Sequence, residues 1–243
     1  MGISNFVTAD GETIEFECEN TIASRWTSRE ILNNSTYPTL PFIGSVETIL
    51  DIGANCGAAA VHFARAYPDA AIHSFEPGSL QRSILERNAA GYPGIRVHPF
   101  GLHSEDQTLT LYPGLADSGQ SSLIRSEFTS ADGETVEIRS AAGWIEEAGV
   151  QQVDIVKVDV EGVETEVLRS LSSVLQQVKV VYVEYESRAD RRTIDKILEP
   201  THALYSGKVF LDQGELVYLA NDLADQPEAT DHLKAMLAAA LGG

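Results

Sequence analysis

Five charged residues could carry chemistry in this sequence: Asp51, Glu76, Lys157, Asp159 and Glu161. Asp51 lies in a short apolar run, Thr48 to Ile52, which breaks into Gly53-Ala54-Asn55-Cys56-Gly57. A buried strand, a glycine turn and a helix start together make a nucleotide-cofactor cradle. Gly53 lets the backbone approach a ligand, and Gly57 lets the helix pack close to the strand. Asn55 tolerates left-handed backbone at the place where a third glycine is often found. A carboxylate at the mouth of the turn, the position expected for Asp51, repels a pyrophosphate and argues against NAD or FAD. It suits a cationic cofactor. Glu76 ends the next apolar run, just before Pro77. There a carboxylate can accept hydrogen bonds from vicinal ribose hydroxyls. An adenosine with a positive amino-acid head and no phosphate is S-adenosylmethionine. The plain alternatives are a turn-capping Asp51 and a solvated Glu76.

The second set, Lys157 to Glu161, bears on the acceptor. Methyl transfer from a sulfonium needs alignment above all. A hydroxyl acceptor also gains from a base or a metal. Strand alternation puts Lys157 and Asp159 on one face. A lysine inside a buried strand is costly unless paired, so Lys157 is expected to meet Asp159 or a glutamate. Asp159 and Glu161 are expected to emerge beside the donor methyl. Otherwise Asp159 is a helix N-cap, and Glu161 and Glu164 are first-turn acids that favour the helix dipole. Asp159 and Glu184 could hold Mg²⁺, although no metal is expected. His103 is a further candidate base. Gly101 and Leu102 are expected to flank the adenine. His62 and His73 read as structural.

These residues need elements to position them. From Glu47 onward, strand patterns alternate with helix patterns: strands at Thr48–Ile52, Ala70–Phe75, Ile95–Phe100, Asp154–Val158 and Lys179–Tyr185. The intervening helices are Ala58–Tyr67, Ser79–Ala90 and one from Gly162 to about Leu175. Such units in series imply a parallel α/β sheet covered on both faces. Residues 101–140 read as a β insertion at the cofactor end, with strands Thr108–Tyr112 and Thr135–Arg139 around the polar stretch Asp117–Ser122, which could close over a ligand. Ala141–Ala148 is a short helix and Arg192–Glu199 another. Ala203–Tyr205 and Leu216–Leu219 form a closing hairpin. An amphipathic tail, Ala229–Leu241, could pack on the core or on a second chain as a homodimer. Residues 1–47 read as an extension, possible as a lid, with a hairpin around Asp10-Gly11 and a helix over Ser24–Leu32. The domain proper is expected to run over 48–243.

Composition limits the partners. The chain has 243 residues, 36 acids against 17 bases, and a formal net charge of -19. That surface repels phosphate backbones and anionic lipid, so neither nucleic acid nor membrane is expected as a partner. No signal-peptide pattern opens the sequence, and the two cysteines, Cys18 and Cys56, form no disulfide framework, so a cytoplasmic setting is expected.

From about Glu47 to Glu186 the chain resembles the FkbM-type S-adenosylmethionine-dependent methyltransferases. The carriers are Leu50 to Gly57, Phe75-Glu76-Pro77, Gly119-Gln120-Ser121-Ser122-Leu123, and above all Ile155-Val156-Lys157-Val158-Asp159-Val160-Glu161-Gly162-Val163-Glu164. The resemblance implies a Rossmann-like class I fold, with a seven-stranded, mostly parallel sheet whose last strands are antiparallel. It also implies O-methylation of a small-molecule hydroxyl, on a sugar or natural product. Two departures fall on the expected acceptor side. Ala142-Gly143-Trp144 stands where relatives often have Thr-Leu-Asp, and Glu184-Tyr185-Glu186 stands where many have a histidine after the glutamate. An N-methyltransferase and a non-catalytic S-adenosylmethionine-binding protein are the competing readings. A dehydrogenase is disfavoured by Asp51 and by the lack of a glycine at position 55.

Overall fold

The computed structural model describes residues 1–112 and 132–241. Its centre is a seven-stranded sheet. In chain order the strands are β3 (Thr48–Ile52), β4 (Ala71–Phe75), β5 (Ile95–His98), β9 (Ile155–Val158), β10 (Val180–Tyr185), β11 (His202–Val209) and β12 (Gly214–Ala220). Their spatial order is β11-β12-β10-β9-β3-β4-β5. β3, β4, β5, β9 and β10 pair in parallel, and only β12 runs against its neighbours β10 and β11. The chain leaves β3 for β4 and β5 on one side, then returns to β9 and β10 on the other. The gap between the carboxyl ends of β3 and β9 is therefore the topological switch point, where open α/β sheets bind ligands.

Alternating side chains feed two apolar layers. Ile49, Ile72, Ile155 and Tyr182 face α2 (Ala58–Ala66) and α3 (Ser79–Ala89). Leu50, Ile52, Val156 and Val158 face α4 (Ala141–Ala148), α5 (Glu164–Ser170) and α6 (Arg188–Leu198). The N-terminal extension joins the first layer. Its hairpin, β1 (Gly2–Val7) with β2 (Thr13–Cys18), and α1 (Ile22–Leu32) contribute Phe6, Phe16, Ile31 and Leu32 to that core.

The insertion is a small sheet of β6 (Gly101–His103), β8 (Glu134–Ser140) and β7 (Gln107–Leu111), in the order β6-β8-β7. The Asp117–Ser122 stretch and the Gly119 to Leu123 segment lie outside the described residues. Several boundaries differ from the sequence reading, three of them by more than a residue or two. α5 stops at Ser170, and Leu175–Gln177 is a separate 3₁₀ turn. α6 starts earlier, at Arg188, because Ser187 accepts from the Asp190 amide as its N-cap. The last hairpin is longer than expected at both strands. The chain ends in α7 (Asn221–Ala224) and α8 (Pro227–Leu241). Among the described residues, no helix is long and apolar enough to cross a membrane.

Candidate active site

The loop after β3 lies directly against the end of β9. Gly53 has φ +80°, and a Cβ there would fall 1.8 Å from the Asp159 carbonyl oxygen, so only glycine permits the contact. Asn55 has φ 49°, the left-handed backbone expected of it. Gly57 also has positive φ, but a Cβ on it would meet Leu85 of α3 at 2.5 Å, and not the strand. Its role is to let α2 and α3 approach each other.

Asp51 is not at the mouth of the turn. It is fully buried inside the sheet and does not line the cavity. The parallel register sets it opposite Lys157. Ser74 Oγ donates to its Oδ2 at 3.2 Å. Its Oδ1 has no hydrogen-bond partner and lies 3.5 Å from the Lys157 ammonium. Burial pushes the Asp51 carboxyl above its usual range, against the pull of Lys157. Instead of the exposed position expected at the mouth of the turn, Asp51 forms an internal ion pair with Lys157.

Lys157 is 3% exposed and finds several partners. It donates to the Gly53 carbonyl at 2.6 Å and lies 3.4 Å from Asp159 Oδ2. Burial alone would lower its pKa, but the charges of Asp159 and Asp51 outweigh it and hold the ammonium above its usual value. The same charge, with hydrogen bonds from Glu184 and Tyr37, overcomes the burial of Asp159 and keeps that carboxyl below its usual value.

Glu76 follows β4 with its carboxylate clamped. Oε2 accepts from the Asn55 amide at 2.8 Å and Oε1 from the Gly78 amide at 2.8 Å. Burial nevertheless lifts its pKa to about 7. A cavity of about 360 Å³ opens over these loops. Gly53, Ala54, Asn55, Glu76, Pro77, Gly101 and Leu102 line one part of it. Lys157, Asp159, Glu161 and Glu184 line another.

Oxygens of Asp159, Glu161 and Glu184 all lie within 4.8 Å of one another, a set that could hold a cation. Burial, then the charge of Asp159, pushes Glu184 up to about 12. Burial, then a hydrogen bond with Glu186, lifts Glu161 to about 10. Asp159 is thus held toward its ionised form, and Glu161 and Glu184 toward their protonated forms. Glu161 has φ 60° and sits in the turn before α5, not in its first turn. Asp159 is not the helix cap either, since the cap position is Val163. Glu164 is a first-turn acid, as is Glu166, and it accepts from the Val160 and Gly162 amides.

His103 does not reach the cavity; its ring meets Ser104 Oγ at 3.0 Å on the insertion sheet. A base at that position is thus set aside. Of the departures, Trp144 is buried edge-on against Phe75 at 4.7 Å and is part of the core. Tyr185 points its hydroxyl at the Phe210 carbonyl. Sequence reasoning missed Trp26, Tyr37, Gln213 and Glu215, which also line the cavity. Trp26 and Tyr37 come from the extension, where Pro38 and Pro41 stiffen the segment that carries Tyr37.

The profile of the Methyltransferase FkbM domain matches residues 51–222. Methyltransferase sdnD of Sordaria araneosa is 28% identical over 230 residues, covering 78% of this chain and 86% of the relative. The 2-O-methyltransferase NoeI of Sinorhizobium fredii is 26% identical over 154 residues, covering 58% of this chain and 63% of the relative. Among solved structures, yhhF of Escherichia coli superimposes with a TM-score of 0.51 at 16% identity, covering 90% of this chain and 98% of that one. This last likeness concerns the fold.

Proposed function

As this chain belongs to the FkbM methyltransferase domain family, we propose that it is an S-adenosylmethionine-dependent O-methyltransferase acting on a hydroxyl of a small metabolite, sugar or natural product. The observation that carries this reading is the meeting of the Gly53 loop, Glu76 and Asp159 around one cavity at the switch point of the sheet.

The residues present fit the donor. Glu76 is a buried carboxyl that ionises near neutrality and is held by two amides, which suits a pair of ribose hydroxyls. Pro77, Gly101 and Leu102 offer small apolar surface suited to an adenine ring. Gly53, Ala54 and Asn55 offer a glycine-opened backbone to the amino-acid end. Asp159 lines the same cavity on the side left for the acceptor. When bound, the donor supplies an electrophilic methyl group on a sulfonium.

The chain's own task is to align the acceptor and manage one proton. Asp159 would accept the hydroxyl proton, as a carboxylate kept ionised by Lys157. Glu161 and Glu184, whose hydrogen bonds with Glu186 and Asp159 use their own protons, would offer their remaining carboxyl oxygens to the hydroxyls of an oxygen-rich acceptor. The name of the relative from Sinorhizobium fredii, a 2-O-methyltransferase, supports the hydroxyl direction. We read the acidic surface as unsuited to nucleic acid or anionic membrane, and the setting as the cytoplasm.

The test is calorimetric titration with S-adenosylmethionine, S-adenosylhomocysteine and NAD, followed by a mass-spectrometric screen of sugars and polyketide alcohols for a one-methyl gain. Binding of the first two ligands and methylation of an alcohol support the reading. Binding of NAD alone, or methyl gain on amines only, contradicts it.

A further inference from the structure

We infer that Tyr37, from the N-terminal extension, is a positioning residue that aims the Asp159 carboxylate at the acceptor. The inference rests on the reading of Asp159 as the acceptor-side carboxylate. It also goes beyond the matched family domain, which begins at residue 51 and so excludes Tyr37.

The Tyr37 hydroxyl donates to Asp159 Oδ2 at 3.0 Å. The Lys157 ammonium approaches the same oxygen at 3.4 Å. Two donors on one oxygen fix the rotation of the carboxylate and leave its other oxygen facing away from them. Lys157 alone is a poor aiming device. Its charge is divided between Asp51 and Asp159, and its shortest hydrogen bond goes to the Gly53 carbonyl. The tyrosine is the rigid member of the pair.

That rigidity is built into the strap that carries it. The Tyr37 ring packs edge-on against Tyr182 at 5.5 Å and tilted against Phe63 at 6.3 Å. His62 Nε2 donates to the Tyr37 carbonyl at 3.0 Å, and the Tyr182 hydroxyl donates to the Pro38 carbonyl at 2.6 Å. The strap is thus bolted to α2 and β10 on both sides of the side chain that reaches the site. Other buried tyrosines end differently. Tyr182 and Tyr185 donate to backbone carbonyls, and Tyr218 donates to Asp195 on α6, which does not line the cavity. Tyr37 instead spends its hydroxyl on the carboxylate in the cavity. Its position also explains why the extension is fused into the core: a flap that swung freely could not hold an oxygen to within a fraction of an ångström.

The experiment is a double-mutant cycle of Tyr37→Phe and Asp159→Asn, which keeps the ring stacking and the carboxylate's volume. It is read in two ways. The first is turnover of the alcohol that the screen finds to be methylated, with S-adenosylmethionine as donor. Tyr37→Phe is expected to lower kcat about tenfold, the worth of one hydrogen bond to a charged group, with the KM for the donor within about twofold. It is expected to add nothing in the Asp159→Asn background. The second readout is urea unfolding of the free protein, where the two substitutions are expected to be non-additive. Additive losses in kcat, or a loss that falls on the donor KM alone, overturn the inference. If the wild-type protein binds no S-adenosylmethionine, the functional reading fails by itself. The unfolding cycle then decides on Tyr37: additivity there overturns the pairing outright.

Discussion

Lys157 shares one ammonium among Asp51, Asp159 and the Gly53 carbonyl, so its removal should be felt by all three. In Lys157→Met the buried Asp51 and the half-buried Asp159 lose their countercharge. Breaking a buried ion pair in this way costs about 3–5 kcal/mol, and the urea midpoint should fall accordingly. Adding Asp51→Asn to the same chain should restore part of the loss, since it removes the stranded charge. A loss under about 1 kcal/mol, or no recovery, would contradict this account. The residues involved show what a sequence can and cannot disclose. The pairing of Lys157 with Asp159 follows from alternation along one strand, which is local information. The pairing with Asp51 depends on the register of two strands separated by more than a hundred residues, and nothing in the local pattern states it. Asp51 therefore read as a ligand contact, when burial and Ser74 make it an internal partner. Glu76 was legible because it ends its strand, where a side chain must emerge at the ligand edge. Tyr37 was not, because its partner lies 122 positions away and its own segment has no periodic pattern.

At the scale of elements, the parallel strands and their helices were the easiest to read. β3 and α4 fall on the residues that the patterning indicates, because each is a dense apolar run closed by a glycine or a polar cap. The helix after Asp159 was overextended, because Leu171, Val174 and Leu175 are buried as a helix would bury them, yet they belong to a turn and a 3₁₀ segment. The tail helix α8 shows the reverse problem. Its amphipathic pattern promised a packed face, but among its described side chains the packing is uneven. Ala229 is buried and His232 meets the Tyr205 hydroxyl, while Leu237 is 57% exposed. Leu237→Asp is therefore expected to leave the urea midpoint of a monomer unchanged within about 0.5 kcal/mol, as for surface sites generally. Light scattering of both proteins checks the alternative: a lower molecular mass in the variant would show that this face packs on a second chain.

Over the whole molecule, the buried carboxyls set the response to pH. Burial lifts Glu76 and Glu164 to about 7, and Glu161 to about 10, all above their unfolded values. A carboxyl whose folded pKa is raised stabilises the fold below its unfolded pKa, and that contribution is lost as pH rises through the folded value. His62, His73 and His98 are lowered to about 4 by burial and act in the opposite sense, but only below about pH 6.5. The free protein should therefore lose thermal stability between about pH 6.5 and 8.5, and Glu164→Gln should flatten the early part of that decline. A midpoint that rises over the same range would refute the assignment of these groups. The net charge of -19 adds self-repulsion in the same direction. Glu76 links this behaviour to function, because it must ionise to receive two hydroxyls. The most direct measurement of the central claim is calorimetry of S-adenosylhomocysteine with the wild type and with Glu76→Gln, at pH 8, with NAD as control. The account predicts binding by the wild type, no heat with NAD, and an affinity about ten- to a hundredfold weaker in the folded variant, the worth of hydrogen bonds to a charged group. Equal affinity in the two proteins, or binding of NAD in place of the nucleoside, would contradict it.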